Sequence, residues 1–227
     1  MSTVLITGAA RGLGLDFTKQ YAAKGWKVLA CARKPDALKV IKGDIHHHAL
    51  EVTDYAAVKA LARKLSGESI DVLICNAGVG GDREQKGQEL GAFDADEMRR
   101  VFEINTLAPL MMAEAFVDQV AKGERRVIAC ISSRMGSIAE NTGGGAYIYR
   151  ASKAALNALT RSLAHDLAGR GVIAVVFHPG WVRTDMGGRG APLGAAESVA
   201  GVRAVIAGLR PSDSGRFFNY DGTAILW

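Results

Sequence analysis

The stretch AYIYRASKAAL at residues 146–156 carries two phenols and one ammonium group, Tyr147, Tyr149 and Lys153. On a helix, positions four apart share a face and positions six apart do not. Tyr149 and Lys153 are four apart, so only Tyr149 can hold its hydroxyl near the Lys153 cation. Tyr147 reads as a packing or pocket-wall residue. A phenol titrates near ~10 in water, and a neighbouring cation lowers that value. The expected chemistry is proton transfer by Tyr149 near neutral pH. A Y-x-x-x-K spacing also occurs by chance on ordinary helices, so the pair needs support from elsewhere in the chain.

The second chemical signal is TVLITGAARGLGLDF near the start, which sets Gly8, Arg11, Gly12, Leu13 and Gly14 between an apolar run and a helical one. Glycines supply positive φ and let the backbone approach a pyrophosphate, whose charge is favoured at a helix N-terminus. Following a strand and opening a helix, the turn predicts a dinucleotide ligand.

Elements that could position these groups are set by periodicity. Seven apolar runs, at 3–7, 27–33, 46–52, 71–77, 126–132, 172–178 and 215–220, read as strands. They are apolar almost throughout, as expected of strands covered on both faces. Segments of helical spacing separate them, including DYAAVKALARKL and DEMRRVFEINTLAPLMMAEAFVDQV. The expected architecture is α/β: one doubly wound parallel sheet of about seven strands, helices on both faces, residues 1–227 forming one domain. Glycine-rich loops at 78–91, 136–145 and 187–194 are candidate rims of a site at the carboxyl ends of the strands. Pro109 lies four residues after Asn105. It has no N–H to offer the Asn105 carbonyl, so a kink is expected there, and the freed carbonyl could hold a water.

Composition narrows the function classes. The chain has 227 residues, 48% hydrophobic and 22% charged, with a formal charge of +5. The positive residues are scattered and accompany no recognisable nucleic-acid module, so no nucleic-acid partner is expected. His46, His47 and His48 are consecutive on a predicted strand, where neighbours point to opposite faces; no metal site is expected from them. Cys31, Cys75 and Cys130 lie in apolar runs without a C-x-x-C pair and read as reduced core residues of a cytoplasmic protein. No apolar run has the length of a membrane span, and the early glycine turn with Arg11 argues against a signal peptide.

Further motifs occur in order along the chain: CNAG at 75–78, VFEINTLAPL with Asn105, ISSRMGS with Ser132 and Ser133, Y-x-x-x-K at 149–153, and HPGWVRTDM at 178–186. With T-G-x-x-x-G-x-G at the front, this series resembles the short-chain dehydrogenase/reductase family over nearly the whole chain. GSIAENTGGGAYIYRASKAALN and the ending FFNYDGTAILW resemble its compact carbonyl reductases of the C-factor and sniffer type. The resemblance implies a Rossmann-type fold and a catalytic tetrad of Asn105, Ser133, Tyr149 and Lys153. Ser133 is placed by S-x-x-G, with Ser132 as the alternative. It implies cofactor contacts from Gly8, Arg11, Gly12, Leu13, Gly14, Arg33, Glu51, Val52, Asn76, Ala77, Gly78, Tyr149, Lys153, Pro179, Gly180, Val182 and Thr184. Two departures stand out. The segment from Ser133 to Tyr149 is longer than is usual in the family, and Glu51 occupies a position where the family generally carries Asp beside the adenine.

The reaction implied by the resemblance is reduction of a small aldehyde, ketone or diketone. Hydride comes from NADP(H), Tyr149 gives the proton, and Lys153 both binds the nicotinamide ribose and tunes the phenol. Cofactor choice rests on charge: an acid at the end of the second strand would bond the ribose of NAD and repel a phosphate, but Ala32 and then Arg33 stand there. Arg33 and Arg11 are suited to flank the phosphate of NADPH. Family analogy implies a homodimer or homotetramer. The alternative is a dinucleotide-binding sensor or signalling protein with incidental turnover. A nucleotide-sugar epimerase, which shares Y-x-x-x-K, would need a longer chain.

Overall fold

The computed structural model describes residues 1–38, 40–80 and 89–227. Residues 81–88 of the glycine-rich 78–91 loop lie outside the described residues. Seven strands form one sheet: β1 (Thr3–Thr7), β2 (Lys27–Ala32), β3 (Ile45–Ala49), β4 (Val72–Cys75), β5 (Val127–Ile131), β6 (Ile173–His178) and β7 (Phe217–Asn219). Their order is β3-β2-β1-β4-β5-β6-β7, and every pairing is parallel. The helices are α1 (Gly12–Ala23), α2 (Tyr55–Lys64), α3 (Ala95–Phe102), α4 (Ala108–Ala121), α5 (Tyr147–Asp166) and α6 (Ala195–Gly208).

Alternation along each strand sends side chains to two cores. Leu5, Leu29, Leu73 and Ile128 meet Val58 of α2, Met112 and Phe116 of α4, and Leu156 of α5. Their neighbours Val4, Ile6, Val28, Ile74 and Val175 meet Phe17 and Tyr21 of α1 and Val199, Val202 and Ile206 of α6. Both faces are therefore dry, which is why the strands read as continuous apolar runs. Each fully buried Leu, Ile or Phe side chain stabilises the fold by roughly 1.5–3 kcal/mol. Cys31, Cys75 and Cys130 are buried and unbridged within this sheet.

β1 has the expected bounds, and the other strands are shorter than the expected runs, chiefly β4 and β7. β3 also departs from the both-faces-covered expectation: it is an edge strand, and its residues, among them His46, His47 and His48, retain solvent exposure. The other edge, β7, is shielded by the tail, where Asn219 N–H donates to the Thr223 carbonyl (2.8 Å) and Ile225 N–H to the Phe217 carbonyl (2.9 Å). Such covering removes an edge that would otherwise template pairing.

The break foreseen at Pro109 takes the form of a π-helical turn, Glu103–Leu107, that joins α3 to α4, with Pro109 in the first turn of α4. Backbone dihedrals stay right-handed helical on both sides of the junction. Single π turns of this kind concentrate at functional sites.

β1 is the point where the strand order reverses: the chain runs outward through β2 and β3, then crosses back to β4. The crevice at the carboxyl ends of β1 and β4 is where ligands bind in sheets of this kind. Among the described residues, no helix is long and apolar enough to cross a membrane.

Candidate active site

The first turn and the loop after β4 are joined through Thr7 and Asn76. Thr7 Oγ1 accepts from the main-chain N–H groups of Asn76 (3.0 Å) and Ala77 (3.1 Å), while Asn76 Nδ2 donates to the Thr7 carbonyl (3.0 Å). This locks the turn against the switch point. Gly14 has to be glycine: a Cβ there would lie 2.2 Å from the Gly8 carbonyl oxygen. Gly8 and Gly12 hold φ of +67° and +52°, and the space beside Gly12 is lined by Thr184. The start of α1 has no side-chain cap, and a helix start of this kind is suited to an anion.

Charges at the far end are paired. Arg11 Nη1 lies 3.3 Å from Asp185 Oδ2, and Arg33 Nη1 lies 3.7 Å from Glu51 Oε2, all four side chains being substantially exposed. Exposed pairs of this kind are worth little, so either arginine can be taken up by a stronger anion. Ala32 and Val52 are buried, and no acid stands at the end of β2.

The reactive centre gathers on α5. Tyr149 and Lys153 share a face, with Lys153 Nζ 5.9 Å from the Tyr149 ring centroid, whereas Tyr147 is 46% exposed. Lys153 is buried and donates to the Ile131 carbonyl at the end of β5 (3.0 Å). Burial pushes its pKa down to about 8. Tyr149 is also shifted by burial, upward, and the hydrogen-bonded Ser133 pulls in the opposite direction. The net direction is upward, set by desolvation of the phenolate, with the Ser133 hydrogen bond as the opposing cause. At neutral pH Tyr149 is a phenol, the proton-donating form.

The two serines separate. Ser132 turns into α5, donating to Asn157 Oδ1 (2.7 Å), and is 4% exposed. Ser133 is the one beside Tyr149, and its Oγ accepts from Met135 N–H (3.1 Å). The S-x-x-G glycine has a physical cause. A Cβ on Gly136 would lie 2.8 Å from the Lys153 carbonyl carbon, so only glycine lets the Ser133 loop rest on α5.

Asn105 lies in the π turn and is fully buried. Its Oδ1 accepts from Val79 N–H (2.9 Å), and its Nδ2 donates to the Val79 carbonyl (2.8 Å) and to Ser152 Oγ (3.1 Å). Ser152 in turn donates to the Tyr149 carbonyl (2.8 Å). Asn105 thus ties the loop after β4 to the reactive helix. A Cβ on Gly78 would stand 3.3 Å from Asn105 Oδ1 and 3.5 Å from Lys153 Nζ, so the three converge. On the opposite wall, Pro179 and Gly180 come directly after β6, Val182 bridges to Leu193, and Thr184 accepts from Gly187 N–H (3.1 Å).

The predicted residues fall into two groups at the carboxyl ends of the strands and the loops that follow them. Gly8 and Gly14 lie against Asn76 and Gly12 against Thr184, while Gly78 with Asn105, and Ser133 with Tyr149, meet around Lys153. Arg11, Arg33 and Glu51 stand at the rim in ion pairs. Thr7, Ser152 and Asn157 are not evident from sequence reasoning, although Asn157 stands four residues beyond Lys153 on the same helical face.

A profile of the short chain dehydrogenase family matches residues 2–191. The chain belongs to the short-chain dehydrogenase/reductase family. Within it, the chain is similar to C-signal of Myxococcus xanthus, at 48% identity over 170 residues, 75% of this chain and 100% of that one. Among solved structures it is similar to the carbonyl reductase Sniffer of D. melanogaster, with a TM-score of 0.92, 33% identity and full coverage of both chains. It is also similar to an NADPH-bound carbonyl reductase from chicken fatty liver, with a TM-score of 0.90 and 34% identity over 100% of this chain and 99% of that one. This short-chain dehydrogenase/reductase is accordingly a carbonyl-reductase-like oxidoreductase.

Proposed function

We propose that this protein reduces a small aldehyde, ketone or diketone using NADPH, with Tyr149 as the proton donor. The observation that carries this reading is the meeting of Ser133, Tyr149 and Lys153 at the end of β5.

The residues present fit a dinucleotide. The uncapped start of α1 and the crowding at Gly14 make a backbone cradle for a pyrophosphate. Asn76, Ala77 and Gly78 would hold the sugar and Val52 the adenine, while Val182 and Thr184 would hold the nicotinamide. Arg11 and Arg33, with Ala32 where an acid would repel phosphate, favour NADPH. The hydride taken up by the carbonyl carbon is the cofactor's contribution.

The chain's own residues do the rest. Ser133 donates a hydrogen bond to the substrate oxygen and orients it toward Tyr149. Tyr149 gives its proton to that oxygen as negative charge develops there. Lys153, near the ring, stabilises the phenolate left behind and would hold the ribose hydroxyls. Asn105 keeps the loop after β4 and the first turn of α5 in register, which preserves the geometry the transfer requires.

The test is a panel of carbonyl compounds with NADPH and NADH, monitored by loss of NADPH absorbance. Steady turnover that Tyr149→Phe abolishes is expected. Similarity to C-signal favours a second reading, a dinucleotide-binding signalling protein. Tight NADPH binding without turnover on any carbonyl would select it.

A further inference from the structure

The loop that carries Ser133 is held from two sides. On the inner side Gly136 presses against α5, and Asn157 Nδ2 donates to the Gly136 carbonyl (3.1 Å). On the outer side the loop meets the tail. The main-chain oxygen of Trp227 accepts from Ala139 N–H (2.9 Å), Ile138 N–H (3.1 Å) and Ser137 Oγ (3.3 Å). Three donors from consecutive residues converge on one acceptor. That acceptor is fixed in turn: the Trp227 indole stacks on Phe217, with ring centroids 5.5 Å apart and planes 29° apart. Phe217 is a buried residue of β7, paired with Val176 of β6. The tail is laid back along β7 by the bridge from Phe218 to Ala224 and the bond from Ile225 N–H to the Phe217 carbonyl.

The loop itself is short and stiff. Gly136 N–H donates to the Ser133 carbonyl (2.9 Å), Ser137 N–H to the Arg134 carbonyl (2.9 Å), and Glu140 N–H to Ser137 Oγ (3.1 Å). A displacement at Ser137–Ala139 therefore passes to Ser133 instead of being absorbed between them. Ser133 must place one hydroxyl against both the phenol and the substrate oxygen, and a shift of about 1 Å in such a contact costs on the order of a hundredfold in rate.

We propose that Trp227 is a positioning residue for Ser133: the tail clasps the outer side of the Ser133 loop through its main-chain oxygen, with the indole on Phe217 as the anchor. The kinetic consequence rests on the reductase reading above; the clasp itself does not. The dinucleotide cradle of β1, α1 and β4 lies away from this contact, so losing the clasp affects the substrate oxygen and spares the cofactor.

The experiment compares the full chain with Trp227→Ala, Trp227→Phe and a chain stopped after Leu226. Backbone hydrogen exchange at Ile138 and Ala139 is measured, together with NADPH affinity and kcat/KM for a carbonyl substrate. The truncated chain is expected to exchange those two amides at least about tenfold faster and to lose about ten- to a hundredfold in kcat/KM, with NADPH affinity within about twofold. Trp227→Ala should show a smaller loss of the same kind, and Trp227→Phe should restore both readouts. Unchanged exchange at Ile138 and Ala139, or unchanged kcat/KM in a folded truncated chain, overturns the proposal. So does a loss of NADPH affinity in proportion to kcat/KM, which would mark general loosening. If the truncated chain does not fold, Ser137→Ala removes one donor and is held to the same criteria. If the full chain reduces no carbonyl, the reductase reading fails while the exchange result still decides the clasp.

Discussion

Replacing Lys153 with methionine should abolish reduction and at the same time change stability in a way that depends on pH. Lys153 is 5% exposed, and burial lowers its pKa from the ordinary 10.5 to about 8. The folded protein therefore holds a lysine that it would rather have neutral. At about 1.36 kcal/mol per pH unit, the charged form costs the fold roughly 3 kcal/mol at pH 7. Because the folded pKa lies below the unfolded one, the unfolded chain binds more protons between about pH 8 and 10.5, and stability rises with pH through that window. Methionine removes the charge but leaves the Ile131 carbonyl without the donor it has at 3.0 Å, a loss of about 1–3 kcal/mol. At pH 7 these nearly offset, and Lys153→Met should be as stable as the parent or slightly more so. The carbonyl loss does not titrate, whereas the charge cost does. Between pH 7 and 9.5 the parent should gain about 2 kcal/mol on the variant. Tyr149 does not confuse the comparison, since its pKa is raised and it stays protonated over the same range. Denaturant unfolding of both proteins at the two pH values measures the gap. A stability difference that is the same at pH 7 and 9.5 would refute the argument that Lys153 is held against its charge.

Tyr149→Phe should reduce kcat by at least about a hundredfold with NADPH binding nearly intact, while Tyr147→Phe should keep most activity; swapped phenotypes would show that the wrong helix face was chosen. Gly136→Ala should destabilise the protein by about 1–3 kcal/mol and depress kcat, because the new Cβ meets the Lys153 backbone at 2.8 Å. A melt and a rate measurement check it, and an unperturbed variant would mean that the loop can lift from α5 freely. Arg33→Ala and Arg11→Ala should each weaken NADPH by roughly ten- to a hundredfold and spare NADH, since each removes one charge-assisted contact of about 1.5–3 kcal/mol. Binding of both nucleotides to both variants decides this, and a variant that loses the two alike would remove its arginine from the phosphate site.

The sheet was legible because a parallel sheet covered on both faces must be apolar at every position, and the inner strands obey that rule. β3 does not: its three histidines are tolerated because an edge strand needs to bury less. The pairing of Tyr149 with Lys153 was legible because helical spacing is a local property. The choice of Ser133 over Ser132 rested on S-x-x-G alone, because what draws the Ser132 hydroxyl into α5 is Asn157, 25 residues away. The π turn was half legible. Pro109 announces that one carbonyl lacks its donor, but whether the chain kinks or widens is settled by Asn105 and Thr106, which bind Ser152 on α5. The upward direction of the Tyr149 shift, set by burial, was not legible for a related reason. Spacing shows which charges are near and says nothing about how much water surrounds them.

Several places where local rules are broken lie at the ends of α1 and α5 that carry the candidate site residues. α2 and α3 carry capping aspartates, Asp54 and Asp94, whereas α1 and α5 begin with no side-chain cap. α5 is entered through Ala146 in the left-handed region, φ +46°, just before Tyr147. A missing cap costs about 1 kcal/mol, a left-handed alanine about 1–2 kcal/mol, and the buried Lys153 charge roughly 3 kcal/mol. Together they approach the lower end of the net stability of an ordinary domain, roughly 5–15 kcal/mol. Such features persist only where the surroundings over-determine them. Here the surroundings are the two apolar layers that fix β4, β5 and α5, together with Asn105, Asn157 and Gly136, which bind α5 to the loops at its start. The cost also has a direction. Two of the groups concerned carry chemistry: the start of α1 has no side-chain cap, and Lys153 is an ammonium whose pKa burial lowers to about 8, beside the Tyr149 phenol. A site arranged this way needs little reorganisation when charge develops on a substrate oxygen, and that is the physical content of its preorganisation.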